Sequence, residues 1–125
     1  MTVHLGGGPE LDPNSEAAIR VEIDKALGGT FGEDQQRIAS VGIQWLSTLL
    51  RKNRDYGSSA WKAPVLAPQL APGDAILCRM SDKVERIARL LQGESPSVSE
   101  SLEDTMCDLG AYALLWLARP SETPD

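Results

Sequence analysis

Cysteine, histidine and phenylalanine are almost missing from this chain of 125 residues, which holds two Cys, one His and one Phe. Cys78 and Cys107 have neither a CxxC neighbour nor a His at metal-ligand spacing, which argues against a zinc site and a disulfide framework. Both read as buried small apolar residues, the usual place of a free thiol. His4 stands alone in a Gly-rich opening. No apolar run approaches the roughly 20 residues of a membrane span, and no signal-peptide pattern opens the chain. The expectation is a cytoplasmic protein with no membrane partner. Basic charge is also in short supply: 12 Lys and Arg stand against 18 Asp and Glu, a net charge of −6. Such a surface repels a phosphate polymer, so no duplex nucleic-acid partner is expected. With only three Trp and two Tyr besides Phe31, the core must come from Leu, Ile, Val and Ala.

What the chain does have is helical periodicity, punctuated by Gly and Pro. Gly6, Gly7, Gly8, Pro9 and Pro13 make residues 1–13 a flexible N-terminal arm. Asn14 or Ser15 caps a helix to about Leu27, with Ile19, Ile23 and Leu27 at four-residue spacing and Gly28-Gly29 as the stop. A longer helix is predicted over 33–53, with Ile38, Gly42, Trp45, Leu46, Leu49 and Leu50 on one stripe. Pro64, Pro68 and Pro72 then forbid a regular helix interior. Trp61, Val65, Leu66 and Leu70 suggest that this irregular loop packs down on the body, and such ordered loops tend to serve function. A third helix over 72–91 carries Ile76, Leu77, Met80, Val84, Ile87, Ala88 and Leu91, and stops at Gly93. Ser97 or Ser99 caps a fourth helix running to about Ala118, with Ser97 and Glu100 fitting a capping box and Arg119-Pro120 ending it.

The short turn between the third and fourth helices makes them antiparallel neighbours. The chain therefore reads as one all-α domain over 14–119, with a C-terminal tail over 120–125. Ala113, Leu114, Leu115, Trp116 and Leu117 make the end of the fourth helix apolar all round. Burial on more than one side calls for a partner subunit, so a homodimer is expected.

Chemistry concentrates in three charged segments. Asp82 and Glu85 are three apart on the third helix, and Asp104 and Asp108 four apart on the fourth, so each pair shares a face. Like charges at that spacing repel, and a divalent cation would reverse the sign. Mg²⁺ needs only a few carboxylates plus waters and a nucleotide's phosphates, and it activates an attacking water. Arg79, Lys83 and Arg86 interleave with the acids and could neutralise phosphate. From spacing alone the more ordinary reading of the same residues is a solvated charged face, with Glu103 and Asp104 favoured near the helix N-terminus by its dipole. Asp108 lies beside the apolar stripe with Tyr112 one turn on, where a carboxylate usually has a partner. The third segment, Lys52 to Gly57, reads either as a basic helix end or as part of a binding site. The local basic excess of Arg51, Lys52 and Arg54 fits a phosphate-sized ligand.

These segments carry a resemblance. Lys52-Asn53-x-Asp55-Tyr56-Gly57, then Arg79-x-x-Asp82-Lys83-x-x-Arg86, then Glu100-Ser101-x-x-Asp104-Thr105-x-x-Asp108-Leu109 resemble, in order, the motifs of a phage and bacterial nucleotide-modification-associated domain family. More distantly, residues 33–118 are similar to the MazG-like all-α nucleoside triphosphate pyrophosphatases. The resemblance implies a four-helix, MazG-like bundle with an irregular Pro-rich loop between the second and third helices. It also implies a dimer in which acidic helices bind Mg²⁺, or Mn²⁺, and water releases pyrophosphate. A phage-encoded chain of this kind would act in the host cytoplasm. The acidic motifs depart from the MazG pattern, because Asp82-x-x-Glu85 and Thr105-x-x-Asp108 stand where Glu-x-x-Glu and Glu-x-x-Asp would be.

The resemblance thus implies a Mg²⁺-dependent pyrophosphohydrolase with Asp82, Glu85, Asp104 and Asp108 on the metal, Asp82 and Asp108 being catalytic. Lys52, Asn53, Asp55, Tyr56, Arg79, Lys83, Arg86 and Tyr112 would bind nucleotide. The alternative on the same fold is a module that binds a nucleotide or a protein partner without cleaving anything.

Overall fold

The computed structural model describes residues 12–28, 31–93 and 101–121. The elements are α1 (Glu16–Leu27), α2 (Glu33–Tyr56), a short 3-10 helix (Gly57–Trp61), α3 (Pro72–Leu91) and α4 (Leu102–Leu117). No strand occurs among the described residues. None of these helices is long and apolar enough to cross a membrane. The chain divides into two compact units, the first ending at Asp55 and the second beginning at Tyr56.

In the first unit Ser15 caps α1, its side chain accepting from the Ala18 N–H at 3.2 Å. Gly28, at φ 78°, ends the helix in the left-handed region where glycine carries no Cβ penalty. Ile19 is buried and Leu27 exposed, so the four-residue stripe runs out before the helix does. α2 continues three residues beyond the expected end at Asn53, to Tyr56. Its buried side chains are Ile43 and Ser47, while Ile38 is 71% exposed. At about 100° per residue Ile38 stands about 140° around the helix from Ile43, off the buried face. The Ser47 hydroxyl donates to the Asn14 carbonyl and accepts from Arg51 Nη2 at 2.8 Å. A hydroxyl buried in a helix interior is tolerated when both capacities are used in this way.

In the second unit α3 packs on α4 and on the 3-10 helix. Gly73 at the start of α3 lies against Trp116 and Arg119 at the end of α4, and Lys83 midway along α3 meets Asp108 midway along α4. The pair is therefore antiparallel, as expected. A Cβ at Gly73 would sit 3.2 Å from Arg119 and 3.3 Å from Trp116 Nε1, so this glycine permits the close approach. Arg119 stacks over the Trp116 ring at 3.8 Å and donates to the Trp116 carbonyl at 2.7 Å. Trp61 Nε1 donates to the Leu115 carbonyl at 3.0 Å, which ties the 3-10 helix to α4.

Several expectations change here. The α3 stripe is split: Ile76 is buried and Met80 and Ile87 half-buried, whereas Leu77, Val84, Ala88 and Leu91 are exposed. Lys83 takes the place in the inner row that a single stripe gives to Val84, its aliphatic stem packing while its ammonium reaches a carboxylate. Cys78 and Cys107 are both exposed, contrary to their reading as buried residues. Cys78 lies about 140° around α3 from Lys83, on the outer face. The Pro-rich loop forms two turns, closed by Ala67 N–H to Pro64 O at 3.0 Å and Leu70 N–H to Ala67 O at 3.1 Å. Val65 and Leu66, at the tip of the first, are 93% and 97% exposed and do not pack down, while Trp61 and Leu70 are half-buried. The cap of α4 is Ser101, and the expected caps Ser97 and Ser99 lie outside the described residues, as does Glu100.

Candidate functional site

The second unit brings together one part of the expected site. Arg79, Lys83 and Arg86 are half-buried on α3 and fall within about 60° of each other on the helix, in a row about 10 Å long. Lys83 Nζ lies 3.2 Å from Asp108 Oδ2 on α4, with the lysine side chain 21% and the carboxylate 46% exposed. The antiparallel register that faces Lys83 with Asp108 sets Arg79 level with Tyr112, also half-buried, and Arg86 level with the fully buried Thr105. Arg86 and Thr105 are both engaged in interactions of their own. Thr105 also donates to the Ser101 carbonyl at 2.9 Å.

The four carboxylates expected on a metal are not gathered. Asp104 belongs to a reciprocal capping box, its Oδ2 accepting from the Ser101 N–H at 3.2 Å while Ser101 Oγ accepts from the Asp104 N–H at 3.0 Å. Glu85 is exposed on the outer face of α3 and accepts from Arg89 at 2.6 Å. Asp82 is exposed, about 100° around α3 from Lys83. Asp108 faces an ammonium. Among the described residues no group of three or more His, Cys, Asp or Glu is placed to hold a metal ion. As placed, these donors do not fit a preformed Mg²⁺ centre, and no hydrolytic step is assigned to them.

The remaining expected residues close α2. Lys52 and Asp55 are exposed, Asn53 is half-buried, and the side chain of Tyr56 lies outside what is described. Two residues that periodicity could not flag join this helix end. Asp12 lies 3.5 Å from Arg54 and accepts from the Asn14 N–H at 2.9 Å, and buried Ser47 links Asn14 to Arg51. The Asn14 N–H, with Arg54 and Arg51 beside it, holds the Asp12 carboxyl below its ordinary value despite some desolvation. The Asp-Pro-Asn-Ser run over 12–15 is a turn signal in which an Asp side chain bonds the backbone two residues on, and that much was legible.

Comparison with known proteins finds no matching protein-family model, no matching curated protein and no matching solved structure.

Proposed function

We propose that this chain binds a nucleotide through its phosphates without needing to cleave it, using the row Arg79, Lys83 and Arg86 on α3. The observation that carries the reading is the Lys83–Asp108 pair at 3.2 Å: the central cation of the row faces a carboxylate that is itself nearly half exposed. A carboxylate in that position keeps the cation oriented and exchanges readily for a phosphate oxygen, which carries more charge and more acceptors. Tyr112, level with Arg79, supplies an aromatic surface at one end of the row. The resemblance of the three motifs to a nucleotide-modification-associated family supports the same ligand class. Self-association through the end of α4, where Leu117 is exposed, belongs to the same proposal and is read by sedimentation across concentration.

The deciding variant is Asp108→Asn. If Asp108 is a counter-ion, its removal ends its competition for Lys83, and nucleoside triphosphate binds a few-fold tighter by calorimetry in the absence of Mg²⁺. If Asp108 is a metal ligand of a pyrophosphohydrolase, Mg²⁺-dependent release of pyrophosphate by the wild type disappears in the variant. Pyrophosphate release by the wild type, lost in Asp108→Asn, overturns the binding-only reading.

A further inference from the structure

We infer that Arg51 and Arg54, at the C-terminal end of α2, form an anion site whose present occupant is the chain's own Asp12, and that a polyphosphate displaces Asp12 and loosens α1 from α2. This site stands on the first unit alone and does not rest on the proposed function of α3.

Three observations lead to it. The first is the arrangement of the cations. Arg51 and Arg54 are three apart, so both guanidinium groups rise from one side of the last turns of α2, and Ser47 lies one turn before Arg51 on that side. Ser47 is buried and accepts from Arg51 Nη2 at 2.8 Å, which fixes one edge of that guanidinium. A guanidinium held by one edge presents its remaining donors in a fixed fork, the geometry that suits a phosphate.

The second is the quality of the occupant. Asp12 comes from about forty positions earlier in the chain, so its place on these arginines is tertiary and owes nothing to helical neighbourhood. Yet the Arg54 Nη1 to Asp12 Oδ2 distance is 3.5 Å, well beyond the roughly 2.7–2.9 Å of a charge-assisted hydrogen bond, and the carboxylate is 37% exposed. A single negative charge sits loosely in a field built by two cations. The proton affinity of Asp12 is lowered first by the Asn14 N–H, with Arg54 and Arg51 adding to it.

The third is what Asp12 holds in place. Residues 12–15 lead directly into α1, with the Ser15 N–H bonded to the Asp12 carbonyl at 2.9 Å and Ser15 capping the helix. Beyond this segment α1 meets α2 through an exposed side-chain bond, Arg20 Nη2 to Ser40 Oγ at 3.3 Å, and Ile19 and Ile43 are the buried apolar residues of the two helices. An open groove of about 500 Å³, lined by Glu16, Ala17, Arg20, Ser40, Ile43 and Gln44, runs along the same side. The Asp12–Arg54 pair and the Ser47–Asn14 bond both tie the segment that leads into α1 to α2, so losing the first weakens that attachment. An anion that takes Arg51 and Arg54 competes with Asp12, and each site occupied by phosphate leaves the leading segment of α1 without its charged anchor.

The test uses the full chain and inorganic tripolyphosphate, with sodium chloride at matched ionic strength as the control. Amide exchange over 16–27 is expected to rise several-fold in tripolyphosphate and not in the salt control. Asp12→Asn keeps an oxygen to accept the Asn14 N–H but removes the charge. It should therefore bind tripolyphosphate about threefold tighter, the scale of competition expected from an exposed ion pair, and show raised exchange over 16–27 before any ligand is added. Arg54→Gln should abolish the response and Arg54→Lys should retain part of it, which separates lost charge from a damaged fold. Lys83→Gln, in the second unit, should leave the exchange response over 16–27 intact, so failure of the α3 proposal and failure of this one are read separately. Equal exchange in tripolyphosphate and in salt, or no gain in affinity for Asp12→Asn, overturns the inference.

Discussion

Removing one partner of the Lys83–Asp108 pair should cost different amounts depending on which partner goes. Asp108→Asn leaves a lysine whose side chain is only 21% exposed facing a neutral acceptor. Exposed pairs contribute about 0.2–1 kcal/mol and a stranded buried charge costs about 3–5 kcal/mol. Because Asp108 is 46% exposed, the pair sits near the lower limit, and a loss of about 1 kcal/mol is expected. Lys83→Met keeps the packed stem and leaves a carboxylate that water can solvate, at a cost of about 0–0.5 kcal/mol. The double variant should then cost about as much as Lys83→Met alone, which gives a coupling of about 1 kcal/mol. Urea unfolding followed by tryptophan fluorescence reads all four proteins, and unchanged slopes would show that only stability moved. In 1 M salt the coupling should shrink, because the pair is partly open to solvent. A larger loss for Lys83→Met than for Asp108→Asn, or no coupling at all, would refute the assignment of Lys83 as the more deeply held charge.

Two further outcomes follow from the helix ends. Asp104→Ala removes one half of the α4 capping box and should cost about 1 kcal/mol, by the same amount with and without Mg²⁺ in a thermal melt; a loss seen only with Mg²⁺ would make Asp104 a metal ligand instead. Asp12 has a folded-state pKa lowered below its ordinary 3.8, so its contribution is complete above that value and is lost as pH falls through the lowered one. Amide exchange over 16–27 should accordingly rise only below about pH 4, and Asp12→Asn, with the faces of Arg51 and Arg54 unchanged, should show no such acid step.

Helix positions were legible because they follow local rules. Ser15 and Gly28 bound α1, Pro72 opens α3, and the few residues between α3 and α4 called for an antiparallel pair. The choice of inner face was less legible, and α3 shows why. Its apolar residues occupy more than one side, so periodicity alone merged Ile76 and Met80 with Leu77, Val84 and Leu91 into one stripe. What separates them is Lys83, which periodicity counts as polar but whose stem packs inward because Asp108 receives its charge. A similar blindness hid Ser47, a polar residue whose burial is decided by a carbonyl thirty-three positions away. Val65 and Leu66 fail in the opposite sense, since the turn between Pro64 and Ala67 turns both side chains outward whatever their hydrophobicity.

The same reasoning separates the two halves of the expected site. A row of cations at i, i+4 and i+7 needs only one helix to be right, so Arg79, Lys83 and Arg86 share a face as soon as α3 forms. A cluster of carboxylates from two helices needs the rotation of both to be right. The α3 rotation that turns Lys83 to α4 carries Glu85 about 160° away from it, so the acid and the base of this segment cannot both serve the α3–α4 face. The capping box fixes Asp104 in the same way, since α4 begins at Ser101 only if that carboxylate turns back to its N–H. Gathering Asp82, Glu85, Asp104 and Asp108 would require α3 to rotate, which would turn Cys78 and Arg89 inward at the expense of Ile76 and break the Lys83 contact. The arrangement that packs this helix pair is therefore one that sets Lys83 against Asp108 and leaves the four carboxylates apart.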